Sequence, residues 1–271
     1  MAAIPPPPPL LLGLSGLSNS GKTTLSRLLR RVFPDSFILH QDDFFVSEGD
    51  LPVVDGDVDY DCIESIDFVG LKKALGYVRE HGELPADLVS KEDQNSVGES
   101  GVGDGVVGEC VARVKAAGMG GGRVRLAVVD GFLLFHDEEV LGRLDLGMFL
   151  RAPYDKAKQR REARTGYVTI EGSINTCENS LLVLTSLTGN VAGFWEDPPG
   201  YFDKIVWPNY VKAHKHLFID GDVSGTLDPE VMKAKNIVSP PEVDMHMSKI
   251  LPWAVDVILD EVKRKEALAT K

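Results

Sequence analysis

Residues Gly16-Leu-Ser-Asn-Ser-Gly21-Lys22-Thr23 spell G-x-x-x-x-G-K-T, directly after the apolar run LLLGLSG and where KTTLSRLLRRVF opens as a helix. No other feature narrows the fold so far. A strand, a glycine-rich turn and a helix in that order form a phosphate-binding loop. The glycines let successive backbone N–H groups, from Gly16 through Ser18, Asn19, Ser20, Gly21 and Thr24, turn inward around phosphate oxygens. The positive end of the following helix faces the same charge. Lys22 is placed to reach the β- and γ-phosphates, and the Thr23 hydroxyl to ligate Mg²⁺. The spacing therefore predicts nucleoside triphosphate binding.

The rest of the chain supplies the sheet that such a loop needs. SFILHQDD reads as a second strand, RVRLAVVDGFLLF as a third, LDLGMFLRA as a fourth and KHLFIDGD as a fifth. Between them lie a helix over about 62–80, with Asp61-x-x-Glu64 as a capping box, and the charged helix YDKAKQRREART. An amphipathic helix over 248–268 closes the chain. Continuously apolar strands alternating with helices predict an α/β fold: a five-stranded, mainly parallel sheet covered by helices on both faces. One domain over 10–271 follows, with a small lid over 160–207 and a disordered proline-rich tail over 1–9.

Two segments fall outside the pattern. Residues 86–122 carry nine glycines after position 97 and read as a flexible surface insertion. Its Gly103-x-Gly105-x-x-Gly108 has no strand before it and no clear helix after it, so it fails as a dinucleotide fingerprint. Residues 173–193, SINTCENSLLVLTSLTGNVAG, interrupt a polar and aromatic region inside the lid.

With 271 residues, 43% of them hydrophobic, the chain can bury a sizeable core. A net charge of −12 argues against a nucleic-acid partner. Cys62, Cys110 and Cys177 form no C-x-x-C pair, and no apolar stretch approaches the length of a membrane span. A cytoplasmic monomer with no membrane attachment, the nucleus also being open to it, is the expectation.

The use of the triphosphate is narrowed by what else is present. No N-K-x-D occurs, which a guanine-reading switch would need. A small-molecule kinase needs a base for the acceptor hydroxyl, a second acid near the metal, and cations on the transferring group. Asp42 stands at the C-terminal end of a strand, where open α/β sheets bind ligands. Asp130 ends LAVVD, a strand whose acid holds Mg²⁺ in this class of fold. Arg160 and Arg164 share one face of the charged helix, with Arg161 beside them. Asp220 and Gly221, at the end of the expected fifth strand, are assigned to ATP.

Taken together, GLSGLSNSGKTTL, QDDFF, VDYD, VVDGFLLF, RREART and DPPGYFDKIVWPNY resemble the nicotinamide riboside kinases, in the uridine-kinase-like branch of P-loop kinases. The resemblance implies ATP-dependent phosphorylation of the 5′-hydroxyl of nicotinamide riboside, giving the mononucleotide for NAD salvage. It makes Asp42 the general base, close to the metal with Thr23 and Asp130. It puts Asp61 on the ribose hydroxyls, Tyr60 on the base and Arg161 on the ribose side, with Arg160 and Arg164 toward the triphosphate. The aromatic that the resemblance places over the nicotinamide is either Tyr167 or displaced, since RTGY offsets it by one residue. Strand alternation turns Asp43 away from Asp42, as a supporting acid, and Phe44 and Phe45 form an apolar wall beside the acceptor site. Relatives often carry Glu where this chain has Asp130, and they run almost directly from EG to FWEDPPGY. The 173–193 segment is thus a lineage-specific insertion or a wrongly translated stretch, and one that hinders lid closure. A uridine or cytidine kinase, and a nucleotide-binding regulatory protein without turnover, are the alternatives.

Overall fold

A computed structural model describes residues 8–90, 100–120, 123–163, 167–168 and 194–270. Its centre is a five-stranded sheet in the order β2-β5-β1-β6-β9. The strands are β1 (Leu10–Gly16), β2 (Phe37–His40), β5 (Leu126–Asp130), β6 (Leu146–Leu150) and β9 (Ile237–Val238). All four pairings are parallel, so the expected sheet is found with no antiparallel edge. Two short hairpins complete the strands, β3 (Val53–Val54) with β4 (Asp57–Val58) and β7 (Tyr167–Val168) with β8 (Phe194–Trp195).

Both faces of the sheet are buried, which is why its strands read as unbroken apolar runs. Leu10, Leu12 and Leu14 point into a core built with α1 (Lys22–Val32), α3 (Asp104–Ala116) and α8 (Met247–Ala269). Leu11 and Leu17 enter the opposite core, with α2 (Phe68–His81), α4 (Glu138–Leu141), α5 (Tyr154–Glu162) and α6 (Trp207–His214). On α1 the buried apolar residues are Leu25, Leu28, Leu29 and Val32, an i, i+3, i+4, i+7 stripe. Each such side chain contributes about 1.5–3 kcal/mol by leaving water. α7 (Pro229–Ala234) leads into the edge strand.

Three expectations are corrected. KHLFIDGD is not the fifth strand: Lys215–Leu217 and Ile219–Gly221 are 3₁₀ turns. Asp220 and Gly221 have φ of 54° and 71°, which no strand accommodates, and the edge position goes to Ile237–Val238. Residues 86–122 are not wholly a flexible insertion, because 104–116 form α3. Val107, Cys110 and Val114 recur there at helical spacing and are buried against α1 and α8, while Arg113 holds Asp256 of α8. The helix begins right after Gly103, inside the G-x-G-x-x-G pattern. Finally, α2 starts at Phe68 rather than near 62. Asp67 is its N-cap, accepting from the N–H groups of Val69 and Gly70, and this frees Asp61 from capping.

Val54-Asp55-Gly56-Asp57 is a two-residue hairpin turn with φ of 50° and 93° at its centre, the Asp-Gly signature of a type I′ turn. It carries the chain into Asp59-Tyr60-Asp61. Among the described residues no helix is long and apolar enough to cross a membrane. Cys62 and Cys110 are buried free thiols; Cys177 and residues 173–193 lie outside the described residues.

Candidate active site

The phosphate loop leaves β1 through Gly16, whose φ is 136° and where a Cβ would stand 2.0 Å from the Leu150 carbonyl. Only glycine fits against β6 here. Asn19 and Gly21 also take positive φ, 60° and 98°, and Gly21 caps α1. The loop thus wraps the N-terminal end of α1, with Thr23 and Thr24 half-buried in its first turn. Lys22 is buried and donates from Nζ to the carbonyls of Gly16 (3.1 Å) and Leu17 (3.0 Å). The loop's own oxygens hold the ammonium beside the positions where phosphates bind. Ser18 is half-buried, and Ser20 is buried with no hydrogen-bond partner for Oγ among the described residues.

At the C-terminal end of the sheet, His40 of β2 and Asp130 of β5 are register partners, and Asp130 in turn neighbours Leu14 of β1. His40 Nδ1 lies 3.5 Å from Asp130 Oδ2, an oxygen that is buried and accepts no hydrogen bond among the described residues. Strand geometry ends at His40. Gln41–Phe44 form a 3₁₀ turn, so strand alternation does not separate the two acids that follow. Asp42 and Asp43 are both half-buried, and Asp43 accepts from Ser90 Oγ at 3.3 Å. Phe44 packs against the start of α2, beside Gly70. Phe45 turns toward Tyr60 and Phe132, at centroid distances of 5.9 and 6.2 Å. Gln41, which sequence reasoning missed, accepts from the Leu133 N–H at 2.9 Å and lies under Gly131, so it fixes the loop that follows Asp130.

Arg161 joins the two halves of the site. Its guanidinium donates to Asp61 (3.2 and 3.1 Å), to Asp197 (2.6 and 3.1 Å) and to Ser18 Oγ of the phosphate loop (2.8 Å). It also lies over the Tyr201 ring, 5.7 Å from the centroid. All three charged groups are largely buried. Burial is the main force on Asp61 and raises its pKa; Arg161 opposes this, while Asp197 and Asp59 add to it. The net direction is up, because burial outweighs the opposing Arg161 guanidinium.

Beside this pair stands an aromatic wall. Tyr60 and Trp195 approach to 4.7 Å between centroids, and the Trp195 Nε1–H donates to Asp197 Oδ1 at 2.9 Å. Trp195, Asp197 and Tyr201 were not singled out from the sequence, although FWEDPPGYFD held all three. Tyr167 pairs with Trp195 across β7 and β8. Its side chain, and the whole of Arg164, lie outside the described residues. Arg160 does not stand beside Arg161 in the site: it pairs with Asp244 at 2.7 Å, a carboxylate that Lys156 also holds at 2.6 Å. Asp220 and Gly221, assigned to ATP, sit in a 3₁₀ turn after α6 and not at the end of a strand. The chain after β9 instead brings Met247 against Gly21 of the phosphate loop.

Comparison with known proteins decides the family. No family model matches the chain. It is 35% identical over 254 residues to the nicotinamide riboside kinase of Schizosaccharomyces pombe, covering 94% of this chain and 98% of that one. The chain belongs to the nicotinamide riboside kinase family. The Saccharomyces cerevisiae member is 31% identical over 256 residues, covering 92% and 95%. The Eremothecium gossypii member is 33% identical over 235 residues, covering 84% and 85%. The fold and the ATP-dependent kinase class read from the sequence stand.

Proposed function

We propose that this chain transfers the γ-phosphoryl group of ATP to the 5′-hydroxyl of nicotinamide riboside, yielding nicotinamide mononucleotide for NAD salvage. The observation that carries the reading is the contact between Arg161 and Ser18: the side chain that grips Asp61 is one hydrogen bond from the phosphate loop. Donor and acceptor groups therefore meet without any rearrangement of the sheet.

In this reading Asp61 receives the ribose hydroxyls, and Tyr60 stacks on the base with Trp195 or Tyr167 opposite. Asp42 accepts the 5′-hydroxyl proton on its carboxylate, with Asp43 supporting the turn and Phe45 excluding water beside it. Lys22 exchanges the Gly16 and Leu17 carbonyls for phosphate oxygens, while Arg160 and Arg164 approach the triphosphate when the lid closes. The donors Thr23, Asp42 and Asp130 are hard oxygens, and the buried Asp130 Oδ2 accepts no hydrogen bond among the described residues, so they suit Mg²⁺. Among the described residues no three His, Cys, Asp or Glu side chains cluster. These oxygens would therefore share the cation with phosphate oxygens, and it would offset the charge on the transferring group. Positioning and charge neutralisation carry most of the acceleration. The protein acts as a cytoplasmic monomer.

The test is turnover of nicotinamide riboside, uridine and cytidine with Mg-ATP, by the wild-type chain and by Asp42→Asn. Turnover of the riboside is expected, with a loss of about 10²–10⁴-fold in kcat for the variant and ATP affinity retained. Phosphorylation of a pyrimidine nucleoside alone, or of nothing, overturns the substrate, and full activity of Asp42→Asn removes Asp42 from the base role.

A further inference from the structure

Asp61 is the group that the proposed function sets on the ribose hydroxyls, yet no regular element holds it. The stretch Asp59-Tyr60-Asp61 lies between the β3–β4 hairpin and the 3₁₀ turn Ile63–Ser65. Its anchors come from the other side of the site. Asn209 of α6 donates from Nδ2 to both oxygens of Asp59, at 3.0 and 2.8 Å, and Asp59 Oδ1 accepts the Asp61 N–H at 2.9 Å. Tyr201 adds a second tie: its hydroxyl accepts the Tyr60 N–H and donates to the Val58 carbonyl, both at 3.0 Å. Asp59 is 5% exposed and Tyr201 1%, so water does not replace these bonds cheaply.

Resting on the reading of Asp61 as the ribose ligand, we infer that Asn209 and Asp59 are positioning residues for the acceptor: Asn209 fixes the Asp59 carboxylate, which fixes the backbone of Asp61. The arrangement is specific in its chemistry. An amide at 209 supplies the N–H donors that a buried carboxylate requires, and a carboxylate there would instead face Asp59 with like charge. Exchanging the two side chains keeps an amide against a carboxylate, with one hydrogen bond between them in place of two. An amide at 59 donates to a carboxylate at 209, while its own Oδ1 still accepts the Asp61 N–H.

The experiment measures KM for nicotinamide riboside and for ATP, and kcat, in the wild-type chain, Asn209→Ala, Asn209→Asp and the exchanged Asp59→Asn/Asn209→Asp, with melting temperatures alongside. Both single variants at 209 are expected to raise KM for the riboside about tenfold or more, with KM for ATP within about twofold. The exchanged pair is expected to return KM for the riboside to within about threefold of wild type. An unchanged riboside KM in Asn209→Ala overturns the inference, as does an exchanged pair no better than Asn209→Asp. An equal rise in both KM values, tracking the melting temperature, marks a purely structural role and also overturns it. Absence of riboside turnover in the wild-type chain overturns the proposed function and this inference together, whereas wild-type turnover with indifferent variants overturns the inference alone.

Discussion

Arg161 Nη1 donates to Ser18 Oγ at 2.8 Å while the same guanidinium holds both oxygens of Asp61. One side chain thereby ties the loop that binds phosphate to the carboxylate assigned to ribose. It can do so because a planar guanidinium offers donors in several fixed directions, and three acceptors converge on it.

Replacing Arg161 is therefore expected to damage stability and acceptor binding together. Arg161→Met leaves Asp61 and Asp197 buried without a counter-charge, which costs about 3–5 kcal/mol. At about 2–4 °C per kcal/mol for a chain of this size, the melting temperature falls by on the order of 10 °C. Arg161→Lys keeps the charge but cannot span Asp61, Asp197 and Ser18 at once, so it recovers part of the stability and little of the riboside affinity. Thermal melts and riboside KM for the two variants check this. Wild-type melting of Arg161→Met would show that the cluster does not hold the fold.

How far these features were legible follows from how each is encoded. The phosphate loop is local: eight contiguous residues set its glycines, lysine and threonine, and the positive φ values at Gly16, Asn19 and Gly21 were implicit in them. Helix α3 was hidden because its signal, Val107, Cys110 and Val114, is sparse among glycines that score against a helix. The edge strand was misplaced because KHLFI looks extended, while Ile237–Val238 is only two residues long and owes its geometry to β6. Asp61 was misread as a cap because a carboxylate before a helical stretch fits that role equally well. Its true partner, Arg161, is a hundred residues away. Trp195 and Asn209 act on Tyr60 and Asp59, more than a hundred positions earlier, and Asp197 on Arg161 across 36, and no spacing rule reaches that far.

His214 provides a test of burial through pH. The ring is packed between Phe149 and Tyr210, with Nδ1 donating to the Tyr210 carbonyl at 3.0 Å. Burial pushes its pKa from 6.5 down to about 3; the Tyr210 carbonyl opposes the shift, and nearby His216 and Lys22 add to it. Between those limits the unfolded chain binds a proton that the folded chain refuses. Stability from the neutral ring is thus complete above pH 6.5 and drains as pH falls toward 3, by about 1.4 kcal/mol per pH unit at most. His214→Gln removes that titration. Urea unfolding at pH 4.5 to 6.5 is expected to show a shallower acid loss in the variant by about that slope, and parallel profiles would refute it.

Trp195 should contribute to riboside binding through its face. Its ring lies 4.7 Å from that of Tyr60, tilted by 56°, and its N–H is committed to Asp197. Aromatic pairing of this kind is worth about 0.5–1.5 kcal/mol, or about two- to tenfold in affinity. Trp195→Ala is expected to raise riboside KM within that range, and Trp195→Phe by less, because the face remains while the N–H is lost. Fluorescence titration with the riboside provides an independent reading. Identical constants for all three proteins would mean that the base does not use this wall.

The 173–193 segment can be tested by excision, because the residues flanking it already meet. Tyr167 pairs with Trp195 and Val168 with Phe194 in an antiparallel ladder. Removing 173–193 joins Val168 to Phe194 through Thr169-Ile-Glu-Gly172, a four-residue connection within the usual range for a β-hairpin. The shortened chain is therefore expected to fold with an unchanged melting temperature, since the ladder and the contacts of Trp195 remain. Because the segment interrupts the sequence of the expected lid just before Phe194 and Trp195, its loss is expected to raise kcat/KM for the riboside. Kinetic constants identical to those of the full chain would show that the segment does not obstruct closure. A drop in activity would mean that it contributes to the lid itself.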